Sequence, residues 1–599
     1  MTRADVRPDV HRREPAPEVE PVSVAAAWQL WPSLVPLRCL LLAATALFLL
    51  ICVQQLGQPY VIDEAEFPYI AEATSRSGLP IYYHGELRPA DVGIFHPPLC
   101  VYALGGWIQA LGDSHAAVRG FGVICALLTA ASGAATIRLL VPRAADVASV
   151  AFVALYLLNP LTIASALLPD IDGTVGVLAL TLGLHVLVLL VVMRTPQRWQ
   201  LLAAGAALGF AFSTKLTTPL ALVPLMGLAF LLSPRRPARA AGDFALAVML
   251  GIALFLAWWG PLAGSTSLDF RFPFQFTYDS LVGKSGQAGL SERLAALRPN
   301  RITLFWLDPL LLLIAAAALV TAAVRSRTDR TARAMVLVAL FALGTVAMYD
   351  VITTPVFRFP KYWIAAVPAA TLATVWLVAQ LVPRRGVAWR SRAAPFLVGG
   401  ALTAAVPVCV VAFTRLAELG PPYQPLRPVV GTLVALVALS AMVAAAVRTS
   451  GDSSARVAFP VAVACALAVG LYGLGQSLVQ RSADYSTRYY YGERGFEQAV
   501  IDVRSLTPAG EALLSPKDIG YEADRPFYED AQLFGNPAAL RKLLLERTAA
   551  VAVTRKDFDY SESVYPEAFA VVREYMVPVF DRPGSGFVVW RLRAAGASS

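Results

Sequence analysis

Charge is scarce in this chain. Asp, Glu, Lys and Arg make up only 15% of its 599 residues and histidine occurs 5 times, whereas an ordinary soluble domain is about 25% charged. With 57% of the residues hydrophobic, a soluble enzyme is excluded. Cysteine is also sparse. Cys39, Cys52, Cys100, Cys125, Cys409 and Cys465 lie almost entirely within apolar runs, with no short spacing of the kind that holds zinc or an iron-sulfur cluster. They read as small core residues. Lysine is confined to Lys215, Lys284, Lys361, Lys517, Lys542 and Lys556. The net charge of +9 is scattered between hydrophobic runs, where basic residues report membrane orientation rather than nucleic-acid binding. No internal repeat and no long low-complexity segment is present.

Long apolar runs fill the remainder. At about 20 residues per crossing, spans are expected near 37–57, 116–140, 145–162, 171–193, 199–214, 217–233, 244–262, 303–324, 334–350, 362–382, 394–413, 428–447 and 457–480. The expectation is an α-helical polytopic membrane protein with about thirteen transmembrane helices. Residues 1–36 are polar and Pro-rich, with Arg3, Arg7, Arg12 and Arg13, and lack the layout of a cleaved signal peptide, so the first span is expected to stay as an anchor. With this tail in the cytoplasm, the inner segments collect Arg138 and Arg143, Arg194 and Arg198, and Arg235, Arg236 and Arg239. Further along come Arg325 to Arg333, Arg384 to Arg392, and Arg448 and Arg456. Short basic inner segments are what the positive-inside rule requires.

An odd number of crossings puts residues 481–599 outside the cytoplasm. There the apolar runs give way to mixed patterns: Phe496 to Leu506 and Pro537 to Glu546 read as helices, and Ala549 to Thr554, Met576 to Phe580 and Gly586 to Leu592 as strands. A small C-terminal α/β extracytoplasmic domain is expected, beside a transmembrane domain over 37–480 with long outer loops at 58–115 and 263–302. Long loops on one face commonly carry function.

The first outer loop opens with Ile62-Asp63-Glu64-Ala65-Glu66-Phe67-Pro68-Tyr69. Carboxylates at a membrane face are costly unless solvated, paired or used. Asp63 with Glu66 also makes a serviceable helix capping box, with Pro68 tolerable in the first turn, so capping and catalysis both stand. Next come Tyr82-Tyr83-His84-Gly85-Glu86, Phe95-His96-Pro97-Pro98, and Ser114-His115-Ala116-Ala117-Val118-Arg119 at the entry to the second span. Further landmarks are Leu168-Pro169-Asp170-Ile171-Asp172, Ser213-Thr214-Lys215, and Arg358-Phe359-Pro360-Lys361-Tyr362 before a span containing Pro368.

This ordered series resembles the type-C (GT-C) glycosyltransferases, in particular the protein O-mannosyltransferase and lipid A aminoarabinose transferase superfamily. The likeness runs the length of the chain and is strongest over 58–220 and 350–370. One departure is that the aminoarabinose branch has Lys before Pro-Pro where this chain has His96. The resemblance implies transfer of a sugar from a polyprenyl phosphate to an acceptor, with inversion, at the extracytoplasmic face of the plasma (inner) membrane. It makes Asp63 the base that takes the acceptor proton, with Glu64 either holding the acceptor or a solvated loop charge. The acceptor is a protein, a lipid or a polysaccharide.

The departing phosphate needs cations or hydrogen-bond donors. Arg358 and Lys361 fall one turn apart if helical and can face one anion, or else form an interfacial snorkelling pair. Lys215 interrupts an apolar region at the outer end of two spans. Asp170 and Asp172 bind the acceptor, orient the base or coordinate a divalent cation, or Asp170 caps the following span. His96 contacts phosphate, touches that metal or packs at the Pro-Pro turn; no cofactor beyond this possible cation is implied. Phe270 to Tyr278 shields the donor lipid or lies in the headgroup belt. His185, deep in a span, reads as a satisfied interior polar residue. The competing readings are a transporter or flippase of lipid-linked glycans, which would carry charge near the bilayer midplane, and a non-catalytic membrane scaffold whose outer domain binds glycans.

Overall fold

The structure is a computed structural model that describes residues 28–60, 65–80, 96–193, 197–265, 309–349, 360–381, 495–556 and 561–593, with a few isolated positions besides. Its membrane part comprises α1 (Val35–Val53), α2 (Glu66–Ser77), α3 (Leu99–Leu111), α4 (His115–Leu140), α5 (Ala145–Leu157), α6 (Pro160–Leu167) and α7 (Val177–Val192). It continues with α8 (Arg198–Thr214), α9 (Leu222–Leu232), α10 (Pro237–Ser265), α11 (Pro309–Arg325), α12 (Arg330–Ala347) and α13 (Ala366–Leu381). The predicted spans through 362–382 each coincide with one of these helices except 145–162, which is divided between α5 and α6; those at 394–413, 428–447 and 457–480 lie outside the described residues. Among the described residues, 5 helical stretches are long and apolar enough to cross a membrane, or up to 6 with the bent pair α5 and α6.

That pair corrects the expectation of one straight span over 145–162. The chain bends by 63° between α5 and α6 because Pro160 has no N–H to continue the α5 ladder and disfavours helical geometry at the preceding residue. Asn159 instead adopts an extended conformation and its side chain accepts from the Leu161 N–H, capping α6. Among the described residues α2 has Ala65 at its N-cap with no side-chain cap, and Glu66 faces a lysine of the C-terminal unit; the Asp63 half of the expected capping box lies outside the described residues.

The helices interlock where small residues let backbones approach. α8 and α10 meet at Gly205, Gly209 and Gly251, where a Cβ at Gly205 would lie 2.5 Å from Leu250 and one at Gly251 would lie 2.8 Å from Leu208. In lipid, where no hydrophobic gain separates one helix neighbour from another, such close van der Waals contact drives association. The outer faces of α1, α8, α10 and α11 leave Leu40, Leu50, Leu202, Met249, Ile252 and Val320 exposed, as a lipid-facing surface requires.

Polar contacts define two ends of the bundle. At one, Asp146 accepts from Ser33 and from Arg138 at 2.7 Å, Arg235 binds Asp243 and Gln200, and Arg325 binds Gln380. At the other, the buried Arg119 of α4 donates to the carbonyls of Leu167 (3.0 Å), Pro59 (3.0 Å) and Gln58, and lies 4.9 Å over the Tyr60 ring. One guanidinium thus ties the exits of α1 and α6 to the entry of α4. His185 is buried in α7, with Thr136 at 3.0 Å from its Nδ1; its Nε2 is buried with no hydrogen-bond partner among the described residues, so the expected satisfied interior residue is satisfied on one side of the ring.

The C-terminal unit contains α14 (Phe496–Leu506), β1 (Leu513–Ser515), α15 (Lys517–Ala523), β2 (Phe527–Glu529), α16 (Asp530–Phe534), α17 (Pro537–Leu545), β3 (Val551–Arg555), α18 (Pro566–Tyr575), β4 (Met576–Phe580) and β5 (Phe587–Leu592). Its five-stranded sheet has the order β2-β1-β3-β5-β4, with β1 parallel to both β2 and β3 and the remaining pairs antiparallel. The β4 edge carries Pro578 and a register shift between Pro578 and Phe580. Phe496, Ile519, Val553 and Phe587 share one core with Tyr60, Tyr69, Leu104 and Val118, so the sheet unit packs directly on the segment around α2 and α3.

Replacing Arg119 with Met should strand buried carbonyl acceptors and cost about 2 to 4 kcal/mol, read as a lowered thermal midpoint of the detergent-solubilised protein.

Candidate active site

At the end of the bundle nearest the C-terminal unit, the residues following α6 form the Leu168-Pro169-Asp170-Ile171 bend and then a π-helical turn, Asp172–Gly176, leading into α7. π-turns of this kind are frequent at functional sites. Asp170 Oδ1 accepts from the Gly173 N–H at 3.0 Å, and its backbone carbonyl accepts from the Thr174 hydroxyl at 2.5 Å. The Asp170 side chain thereby ties itself to the start of the π-turn. Gly173 is required by contact, since a Cβ there would lie 2.5 Å from the Ser165 carbonyl.

The turn aims Asp172 at Lys215, which ends α8 in an extended conformation. Lys215 Nζ donates to both Asp172 carboxylate oxygens at 2.7 Å. The ammonium also lies 4.7 Å from the ring centroid of Tyr362 and 5.7 Å from that of Tyr349. These two rings stack at 5.0 Å with their planes 5° apart, and the Tyr349 hydroxyl is 3.3 Å from that of Thr217. Asp172 and Lys215 are both at least nine-tenths buried. A charge in such a place persists only when paired, and the aromatic faces add cation-π attraction on the remaining side of the ammonium. A small cleft opens beside the pair, lined by Asp172, Gly176, Leu180, Thr214, Lys215, Pro219 and Ala365.

Of the residues singled out from the sequence, Asp172 and Lys215 are thus brought together. Tyr362 lies in the helical turn Pro360–Trp363, so the segment carrying Lys361 reaches this cluster, although the Lys361 side chain is outside the described residues. Asp63, Glu64 and Arg358 also lie outside them, as does most of 270–278. His96 sits half-buried in the turn before α3. The possible metal site at Asp170, Asp172 and His96 is not assembled: among the described residues no three His, Cys, Asp or Glu side chains converge as metal ligands, and Asp172 is engaged by Lys215.

Sequence reasoning missed Tyr349, whose ring caps Lys215, and missed the polar contacts between α2 and the C-terminal unit. There Lys517 Nζ is 2.6 Å from Glu66 Oε2, Tyr521 donates to the buried Glu72, and Glu522 accepts from the Tyr60 N–H at 2.6 Å and lies 2.8 Å from His115 Nε2. Burial, and next the Glu72 carboxylate, raise the Tyr521 phenol pKa well above its ordinary value, so it stays protonated and able to donate.

The chain thus combines a bundle of apolar helices, 5 or 6 of them long enough to cross a membrane among the described residues, with a sheet-containing C-terminal unit. Its residues 95–259 match the family model of dolichyl-phosphate-mannose-protein mannosyltransferase. Its fold matches the crystal structure of ArnT from Cupriavidus metallidurans bound to undecaprenyl phosphate, with a TM-score of 0.57 and 18% identity over 93% of this chain and 99% of that one. The apo form of the same ArnT matches with a TM-score of 0.57 and 17% identity over 92% and 97% of the two chains. No curated protein matches the chain. The fold is therefore that of ArnT.

Removing one partner of the buried pair, as in Asp172→Asn or Lys215→Met, should destabilise the protein by about 3 to 5 kcal/mol. The double variant should be less destabilised than the sum of the two, a coupling readable in a double-mutant cycle of thermal midpoints.

Proposed function

We propose that this protein is a GT-C membrane glycosyltransferase that transfers a sugar from a polyprenyl-phosphate donor to an acceptor at the extracytoplasmic face of the plasma (inner) membrane, by a single inverting displacement. The observation that carries the reading is the buried Asp172, Lys215, Tyr349 and Tyr362 cluster at one end of an ArnT-like bundle; the ArnT structure of that fold holds undecaprenyl phosphate. Among the described residues the formal charges of the membrane helices lie near helix ends. That distribution suits chemistry at a surface better than passage across the bilayer.

In this mechanism Asp63 takes the acceptor proton as the acceptor oxygen attacks the anomeric carbon, and Glu64 orients the acceptor. Arg358, Lys361 and His96 receive the charge that develops on the departing polyprenyl phosphate. Lys215 is held by Asp172 and the two rings, so its contribution is to fix the α8 exit and the π-turn beside the donor. The N-terminal tail is cytoplasmic, about thirteen helices cross the membrane, and residues 481–599 form the outer domain.

With purified protein, radiolabelled polyprenyl-phosphate sugars and candidate acceptors, Asp63→Asn should lose about 10² to 10⁴-fold in kcat while remaining folded; retention of most of the rate would remove Asp63 from the base role. Arg358→Ala and Lys361→Ala should raise the donor KM or lower kcat with little change in the acceptor KM, and unchanged donor kinetics in both would take them out of the phosphate site.

A further inference from the structure

Four residues, 61–64, separate Tyr60 from Ala65 and carry Asp63 and Glu64. Both flanks of this segment are held by one short helix of the C-terminal unit. On the leading side the Tyr60 N–H donates to Glu522 Oε1 at 2.6 Å, and the Tyr60 ring packs against His115 at 4.4 Å, whose Nε2 meets the same carboxylate oxygen at 2.8 Å. On the trailing side Glu66, the first residue of α2, pairs with Lys517 at 2.6 Å. Farther along the same helix, Glu72 accepts from Tyr521. Lys517, Tyr521 and Glu522 all belong to α15.

α15 is itself fixed on several sides. It follows β1 directly through Pro516. Its fully buried Asp518 takes a 2.9 Å hydrogen bond from Arg555 at the end of β3, and Arg504 of α14 donates to the carbonyls of Glu522 and Ala523 at its far end. A helix anchored to two strands and a neighbouring helix transmits the rigidity of the sheet to whatever its outer face holds.

We infer that α15 is a positioning clamp: Lys517 and Glu522 hold the two flanks of the 61–64 segment and so set where its carboxylates stand relative to the donor. The inference rests on the glycosyltransferase reading for the role of those carboxylates, but the clamp itself is a matter of contacts. It also gives the C-terminal unit a task in the reaction, since a misplacement of about 1 Å in a reacting group can cost about 10²-fold in rate. Lys517 and Glu522 act through the segment they hold.

The test uses the full chain in detergent or nanodiscs, comparing Lys517→Met, Glu522→Ala and the conservative Lys517→Arg with the parent. Arg573→Ala, which breaks only the exposed Glu562–Arg573 pair, serves as control. Sugar transfer and amide hydrogen exchange over residues 60–72 are measured side by side. Expected are a fall in kcat of roughly 10 to 100-fold with donor KM little changed, faster exchange over 60–72 in Lys517→Met and Glu522→Ala, near-parental behaviour of Lys517→Arg, and no effect of Arg573→Ala. The clamp is overturned if both disruptive variants keep parental kcat and exchange. It is equally overturned if their loss of rate comes with loss of protection throughout 495–593 and is not relieved in Lys517→Arg. Should the parent move no sugar from any polyprenyl phosphate, the glycosyltransferase reading fails while the exchange comparison still decides the clamp.

Discussion

An ammonium and a carboxylate facing each other inside an apolar bundle constrain everything around them. Neither Lys215 nor Asp172 is tolerable alone at that depth of burial, so the C-terminal end of α8 and the π-turn before α7 must stay side by side. The stacked Tyr349 and Tyr362 close the other side of the ammonium and bring the exit of α12 and the turn before α13 to the same point. Four segments distant in sequence are thereby gathered at one end of the membrane helices. The bend at Asn159 and Pro160 helps, because it carries α6 across to meet the π-turn, where Gly173 lies against Ser165.

The same end receives the C-terminal unit, and the character of the contact changes there. Within the bundle, association rests on close backbone approach and on shape. Between α2 and α15 it rests on carboxylates, a lysine, a phenol and a histidine set among aromatic rings from Tyr60, Tyr69, Tyr521 and Phe527. Charge-assisted hydrogen bonds of this kind specify orientation more than they add net stability.

Helix positions were legible in the sequence because an apolar run is a local signal, and the spans through 362–382 coincide with helices for that reason. Asp172 and Lys215 were legible as candidates because a charge interrupting such a run stands out, but their pairing across 43 residues was not. Tyr349 passed unnoticed since aromatic residues at a span end are expected in the headgroup belt. Lys517 and Glu522 carry no local signal of their roles, because their partners lie 451 and 462 residues away. Strands β3, β4 and β5 were visible from alternation and β-branched content, whereas β1 and β2, of 3 residues each, are too short to give a period. The capping box motif at Asp63 and Glu66 is satisfied by residue types alone, and it gave no sign that a lysine from another unit pairs with Glu66 in the folded chain.

The outermost strand of the sheet has a bearing on how these molecules coexist. Proteins confined to a membrane plane meet one another far more often than the same number free in solution, and an open strand edge invites a neighbour's backbone to zip onto it. β4 presents that edge with Val577 and Val579 facing out, but Pro578 between them offers no N–H, and the adjoining irregularity twists the ladder out of line. An incoming strand would meet a proline at the centre of a 5-residue edge, which guards this edge against self-adhesion where, among the described residues, no other strand pairs with it.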